Sequence, residues 1–129
     1  MGYETYTDSP YRAFKAAVAA DLIGKEGYAV EQVAGAETIQ LYTSGVCIGF
    51  LKERLEGSDH WNVALIGKGG TVKVVAGGAI ASPGFVKPQS GGKVIAAAAA
   101  LACGIKISPV ANSADGDVIE IISGYVTAP

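Results

Sequence analysis

What constrains this chain most is its punctuation. Turn-forming residues return roughly every ten to fifteen positions: Gly45, Gly57-Ser58-Asp59, Gly67-Lys68-Gly69-Gly70, Gly77-Gly78, Pro83-Gly84, Gly91-Gly92 and Asp115-Gly116-Asp117. Glycine supplies the positive φ of tight turns and proline pre-sets their first corner, so such marks end regular structure. The intervals between them leave room for short strands and little for helices. Their patterning agrees. Thr38-Ile39-Gln40-Leu41-Tyr42 alternates apolar with polar, and Val72, Val74 and Ala76 alternate with Lys73 and Val75. Ile105 and Ile107 flank Lys106, and Ile119 and Ile121 flank Glu120. A period of two marks half-buried strands. The expected fold class is therefore all-β (mainly β), a small β-barrel or sandwich of short glycine-punctuated strands.

Helix has two footholds. Ala13 to Leu22 has room for a turn or two, and Ala96 to Ala102 is nearly all alanine, the best helix former. Val94-Ile95 lead straight into that second run and Cys103-Gly104 follow it, so an extended stretch of small side chains is an equal alternative.

A length of 129 residues fits one domain. With 50% hydrophobic and 17% charged residues, there is enough apolar surface to offset the entropy of ordering, which excludes a disordered chain. Residues 1–13 are expected to form an extended N-terminal arm and residues 14–129 a single β domain. Tyr3, Tyr6 and Tyr11 stand among Thr5, Thr7, Asp8 and Ser9, with Pro10 interrupting regular structure. Either the arm is a frayed terminus, or it lies on a neighbour with its tyrosines as anchors. Tyr3, Tyr6, Tyr11, Phe14 and Trp61 are the candidate interface residues.

An internal echo accompanies the strands. Cys47 and Cys103 lie 56 positions apart, and the same offset relates Val63 to Ile119 and Leu65 to Ile121. A duplicated strand-loop-strand unit within one barrel explains it, and so does chance likeness among short β segments.

Composition narrows function. The net charge is −2 and the 10 basic residues are scattered, so the footprint of a nucleic-acid binder is missing. No run of 18 or more uncharged apolar residues suggests a membrane span. Met1 to Thr5 shows no basic stretch followed by an apolar core, so no secretory signal is expected. Cys47 and Cys103 sit in apolar, strand-like settings and are expected to stay reduced and buried, as in a protein made in a cytoplasm.

Chemistry-bearing motifs fail on their own requirements. His60, the only histidine, stands beside Asp59 and Trp61 in a polar loop, with no recognisable nucleophile. Two isolated cysteines and one histidine do not make a zinc spacing. Counting from Asp115, the twelfth position of a calcium loop falls on Val126 instead of a glutamate, so Asp115-Gly116-Asp117 is expected to be a turn before a strand at Val118–Ile122. Gly67-Lys68-Gly69-Gly70 has its lysine ahead of two glycines with a strand following, which predicts a hairpin turn and not a phosphate loop. Glu53, Glu56 and Asp59 alternate with Lys52 and Arg54 as a solvated strand edge would. No catalytic residue, cofactor or metal ligand is expected, and the chain is not expected to be an enzyme.

The ordered set of segments Gly45-Val46-Cys47-Ile48-Gly49-Phe50-Leu51, Val63-Ala64-Leu65-Ile66-Gly67, Val74-Val75-Ala76-Gly77-Gly78-Ala79-Ile80, Gly92-Lys93-Val94-Ile95-Ala96-Ala97, Gly104-Ile105-Lys106-Ile107 and Ala114-Asp115-Gly116-Asp117-Val118-Ile119-Glu120-Ile121 resembles the small head decoration, or capsid cement, proteins of tailed bacteriophages. The resemblance covers roughly residues 38–123. It implies a compact β-barrel-like domain that forms homotrimers on the outer surface of the virion and clamps the major capsid protein after the shell expands. It implies no nucleic-acid or membrane partner, and synthesis in the host cytoplasm. Residues 1–37 and the Ser82–Gly91 loop match none of its motifs. Another virion component, such as a tail or baseplate part, or a small non-enzymatic β-barrel binding module, is the alternative.

Overall fold

A computed structural model describes Ser9 and residues 11–98, 101–108 and 112–127. Among the described residues ten strands follow one another: β1 (Tyr11–Ala16), β2 (Ala29–Gln32), β3 (Thr38–Leu41), β4 (Cys47–Arg54) and β5 (His60–Leu65), then β6 (Thr71–Val75), β7 (Gly84–Pro88), β8 (Val94–Ala96), β9 (Leu101–Lys106) and β10 (Val118–Thr127). The fold is all-β; the one helical element among the described residues is a 3₁₀ turn at Ala19–Asp21. Of Ala13–Leu22, the first part is strand, because Phe14 and Ala16 alternate into the interior while Arg12, Ala13 and Lys15 stay outside. The alanine run ends β8 at Ala96, and the Ala97 N–H donates to the Phe85 carbonyl at 2.9 Å, so its described part is extended. The boundary expected between arm and domain falls inside β1. Tyr11, Arg12 and Ala13 pair with Ala64, Val63 and Asn62 of β5 and so belong to the domain.

The two halves of the chain have one topology. The first five strands close into a barrel in the order β1-β5-β4-β2-β3, with β3 returning to β1. The second five form a sheet in the order β6-β10-β9-β7-β8. Each strand of the second unit therefore sits where the strand five earlier sits in the first. Registers agree as well: Phe14 faces Trp61 as Val74 faces Ile119, and Val30 faces Gly49 as Val86 faces Gly104. Even bonds outside the ladders recur. The Ala16 N–H donates to the Asp59 carbonyl and the Ala76 N–H to the Asp117 carbonyl, both at 2.8 Å. Gly49 and Gly104 are matched for one physical reason. A Cβ on Gly49 would overlap the Ala64 carbonyl, and one on Gly104 would stand 2.7 Å from the Ile122 carbonyl. Of the two explanations of the echo, a repeat is the one present, and it is a repeat of a whole five-stranded unit and not of a strand-loop-strand unit within one barrel. The equivalences are Trp61 with Ile119 and Val63 with Ile121, two positions away from those the constant offset implied.

Each unit has its core. Phe14, Ala16, Leu22, Val30, Ile39, Leu51, Trp61 and Val63 fill the first. Val74, Ala76, Ile80, Val86, Val94, Cys103, Ile119 and Ile121 fill the second, joined there by Ala29, Cys47 and Phe50 from the first unit. At the position of Leu51 the second unit carries Lys106, fully buried, whose ammonium donates to the Ile80 carbonyl at 2.9 Å. The alternation expected for β9 is therefore inverted. Lys106 points inward, opposite the buried Ile121, and Ile107 is exposed.

Closure is where the units differ. In the first, β1 and β3 join through two parallel pairs, Lys15 with Thr38 and Ala16 with Ile39. In the second, the matching contact shrinks to one bridge, Ala76 with Val94. The first unit fills the remaining gap. The Val75 N–H donates to the Gly27 carbonyl at 3.1 Å, and the Ala29 N–H to the Gly92 carbonyl at 2.6 Å. Gly91 adds a bond from its N–H to the Tyr42 carbonyl at 2.9 Å. Phe50, fully buried, then packs into the second core.

Gly91→Ala and Gly92→Ala test this interlock. Both glycines have positive φ, 100° and 95°, so either change costs about 1 kcal/mol of backbone strain. Only at Gly92 does an added Cβ meet anything: the Ala29 carbonyl oxygen at 3.0 Å and the Tyr28 Cβ at 3.1 Å. Urea unfolding is expected to show Gly92→Ala losing at least about 1 kcal/mol more than Gly91→Ala. Equal losses would count against the interlock.

Candidate interaction surface

The expected interface residues scatter. Tyr3 and Tyr6 lie outside the described residues. Tyr11 is 43% exposed, with the Lys52 ammonium 6.0 Å from its ring centroid. Phe14 and Trp61 are core residues and not surface anchors: they face each other across β1 and β5, inside the first barrel. Arg54 covers the Trp61 ring at 5.3 Å, and Arg12 covers Phe14 at 4.5 Å. The strand period explains the correction. His60 points outward at the start of β5, so Trp61 beside it must point inward.

The polar motifs have structural employment. Asp117 accepts the Ala114 N–H at 2.8 Å across the turn in which Gly116 has φ of 90°, and β10 begins at Val118. Lys93 and Asp115 form an ion pair at 3.0 Å. The His60 N–H donates to the Ser58 hydroxyl. Gly67-Lys68-Gly69-Gly70 joins β5 to β6, which lie in different sheets, so it links the two units and is not the expected hairpin turn. Among the described residues, no group of three His, Cys, Asp or Glu side chains is placed to hold a metal ion.

Cys47 and Cys103 are free and buried in the second core. Burial pushes the Cys47 thiol up to about 12, against a smaller opposing effect from its bond to the Gly49 carbonyl. Burial raises Cys103 in the same direction. Both thiols are therefore protonated at neutral pH and behave as small apolar side chains.

Two apolar surfaces stand out. The first is a rim around a pocket of about 170 Å³, lined by Tyr42, Val46, Cys47, Pro88, Leu101 and Tyr125 among others. Val46 is 70% exposed and Leu101 60%. The second is the outer face of β9 and β10, where Ile107, Val118 and Ile122 are exposed. Sequence reasoning missed both. The available signal was Val118-Ile119-Glu120-Ile121-Ile122, where apolar residues occupy both parities, as a strand covered on both faces would.

The loop that carries Val46 into the rim is held by a buried carboxylate. Glu31, 6% exposed, accepts the N–H groups of Thr43 and Gly45 on one oxygen, at 2.9 and 3.0 Å. The other oxygen accepts the Thr43 hydroxyl and the Gln40 amide, both at 2.8 Å. Burial alone would raise this carboxyl, but the hydrogen bonds outweigh it and hold the group at about 2. The clamp fixes residues 43–45 and with them the placement of Val46.

No protein-family model matches the chain, and no curated protein sequence matches it.

Because its pKa is lowered from an ordinary 4.5, Glu31 contributes stability that is present above that value and lost as pH falls toward 2. Glu31→Gln is expected to cost about 1–3 kcal/mol at pH 7, since two N–H donors lose their carboxylate acceptor. Thermal unfolding followed from pH 7 to pH 2 should show a smaller decline for Glu31→Gln than for the parent. Parallel curves would remove the clamp from the explanation.

Proposed function

We propose that this chain is a viral structural protein that binds the outer surface of a tailed-phage head and stabilises its lattice, with the major capsid protein as its partner. The observation that carries the reading is the rim of Val46, Leu101 and Tyr125 around one small pocket. Aliphatic side chains exposed together with a tyrosine, the Val46 loop among them fixed by Glu31, are the chemistry of a protein-protein contact. A cement protein needs that and a stiff body. It needs no reactive group, because weak contacts repeated over a lattice add up through multivalency.

The residues behind the resemblance support the reading in a particular way. Cys47, Phe50, Val74, Ala76, Ile80, Val94, Ile119 and Ile121 all come from its segments, and all belong to the core that the two units share. The resemblance thus rests on the architecture of the body, and the attachment rim adds the surface.

Co-sedimentation of the purified chain with expanded heads that lack it is expected to be saturable. Val46→Glu places a charge on an exposed loop and should leave the Tm unchanged while weakening binding at least about tenfold, a cost of roughly 1.4 kcal/mol per site. A chain that stays in the supernatant at micromolar concentration would defeat the proposal and favour a tail component or another binding module.

A further inference from the structure

The pocket inside the Val46 rim exists only because the two units meet. Tyr42, Val46 and Cys47 line it from the first unit, and Lys87, Leu101 and Tyr125 from the second. Cys47 and Cys103, both buried, close its inner end. With both thiols protonated, that end carries no charge and hydrogen-bonds only weakly. The pocket holds about 170 Å³, and an apolar cavity of roughly 150 Å³ takes a benzene-sized guest. One leucine, methionine or phenylalanine side chain therefore fills it, with its backbone left outside at the rim.

The lining adds a charge. Half-buried Lys87 is the only lysine, arginine, aspartate or glutamate on the pocket wall, and it forms no ion pair among the described residues. The Glu31 carboxylate, which fixes the neighbouring loop, is already committed to the Thr43 and Gly45 N–H groups, the Thr43 hydroxyl and the Gln40 amide. Thr43, Ser44 and Gly45 are exposed, so core packing does not order this loop and the carboxylate does. A mouth ordered in advance loses less entropy on binding.

We infer that this pocket is a socket for one apolar side chain, a leucine, methionine or phenylalanine, that stands next to an aspartate or glutamate on an exposed segment of the major capsid protein. The apolar side chain fills the hole above the two thiols, and the neighbouring carboxylate meets Lys87. Side chains seated in a desolvated hole carry most of the energy of a protein contact, and charge at its edge selects the partner. The inference rests on the head-binding reading for the partner's identity, and on the pocket alone for the chemistry it recognises.

Hydrocinnamate, a phenyl ring joined to a carboxylate, probes that chemistry on the free protein. Titration is expected to move the Val46 and Leu101 methyl NMR signals saturably, with a Kd on the order of 1–10 mM for so small a ligand. Phenylpropylamine, the same ring with a cation, should bind at least about threefold more weakly, and Lys87→Met should abolish that preference. A saturating level of hydrocinnamate should compete with expanded heads in co-sedimentation. Lys87→Glu should weaken head binding at least about tenfold, while Lys87→Arg retains it. Lys87→Met, which also loses the charge, takes the place of Lys87→Glu where that variant fails to fold. No saturable shift at roughly 20 mM hydrocinnamate, or equal binding of acid and amine, would overturn the inference whatever the heads do. Head binding that neither hydrocinnamate nor loss of the Lys87 charge disturbs would overturn it and leave the head-binding reading standing. A chain that never sediments with heads would defeat that reading, and this choice of partner with it.

Discussion

The structure depends on a short segment of one unit completing the other. Gly27 to Ala29 lie in the gap between β6 and β8, hydrogen-bonded to Val75 on one side and Gly92 on the other. Without them, the second sheet would close through the Ala76–Val94 bridge alone and leave the Val75 N–H and the Gly92 carbonyl without these partners. Phe50 and Ala29 fill the same opening from the side-chain end. A fully buried phenylalanine contributes roughly 2–3 kcal/mol, and that contribution exists only while both units are folded. Two five-stranded units, each small for an independent core, thereby become one body.

Against the shared topology, the two units differ at particular matched positions. The inward position that is Leu51 in the first unit is Lys106 in the second, and the cost of burying an ammonium there is offset by the Ile80 carbonyl. The outward positions that are small and covered in the first unit, Ala29 and Ala64, are Phe85 and Ile122 in the second. Glu31 has no acidic counterpart: the register of β7 with β8 puts Lys87 in its place. One unit thus supplies the clamped loop with Val46, and the other supplies the apolar face of β9 and β10. The pocket framed by Val46, Leu101 and Tyr125 draws on both.

Much of this was legible, for identifiable reasons. Turn residues and period-two runs located β3, β6, β10 and the end of β9, and the inward faces of β3, β6 and β10 follow from Ile39, Val74, Ile119 and Ile121. Lys106 could not be placed, because its burial depends on a carbonyl 26 positions away in sequence. Trp61 was misplaced by its polar neighbours Asp59 and His60, whose outward setting in fact requires Trp61 to face inward. The repeat left only a faint echo, since the connections between equivalent strands differ in length and no constant offset aligns them all. The interlock left no trace at all. Its hydrogen bonds are made by backbone groups, and the side chains that join them, Ala29, Phe50 and the glycine at 92, read as ordinary strand and turn residues.

Native-state hydrogen exchange addresses the interlock most directly. The amides of Val75 and Ala29 span the two units, while those of Ala16 and Ala76 make matched bonds, one inside each unit. If the units stand or fall together, all four amides exchange through the same global opening, with one free energy and one denaturant dependence. If Val75, Ala29 and Ala76 exchange through a smaller opening while Ala16 stays protected, the second unit unfolds by itself. The body would then be two domains in contact, and not one.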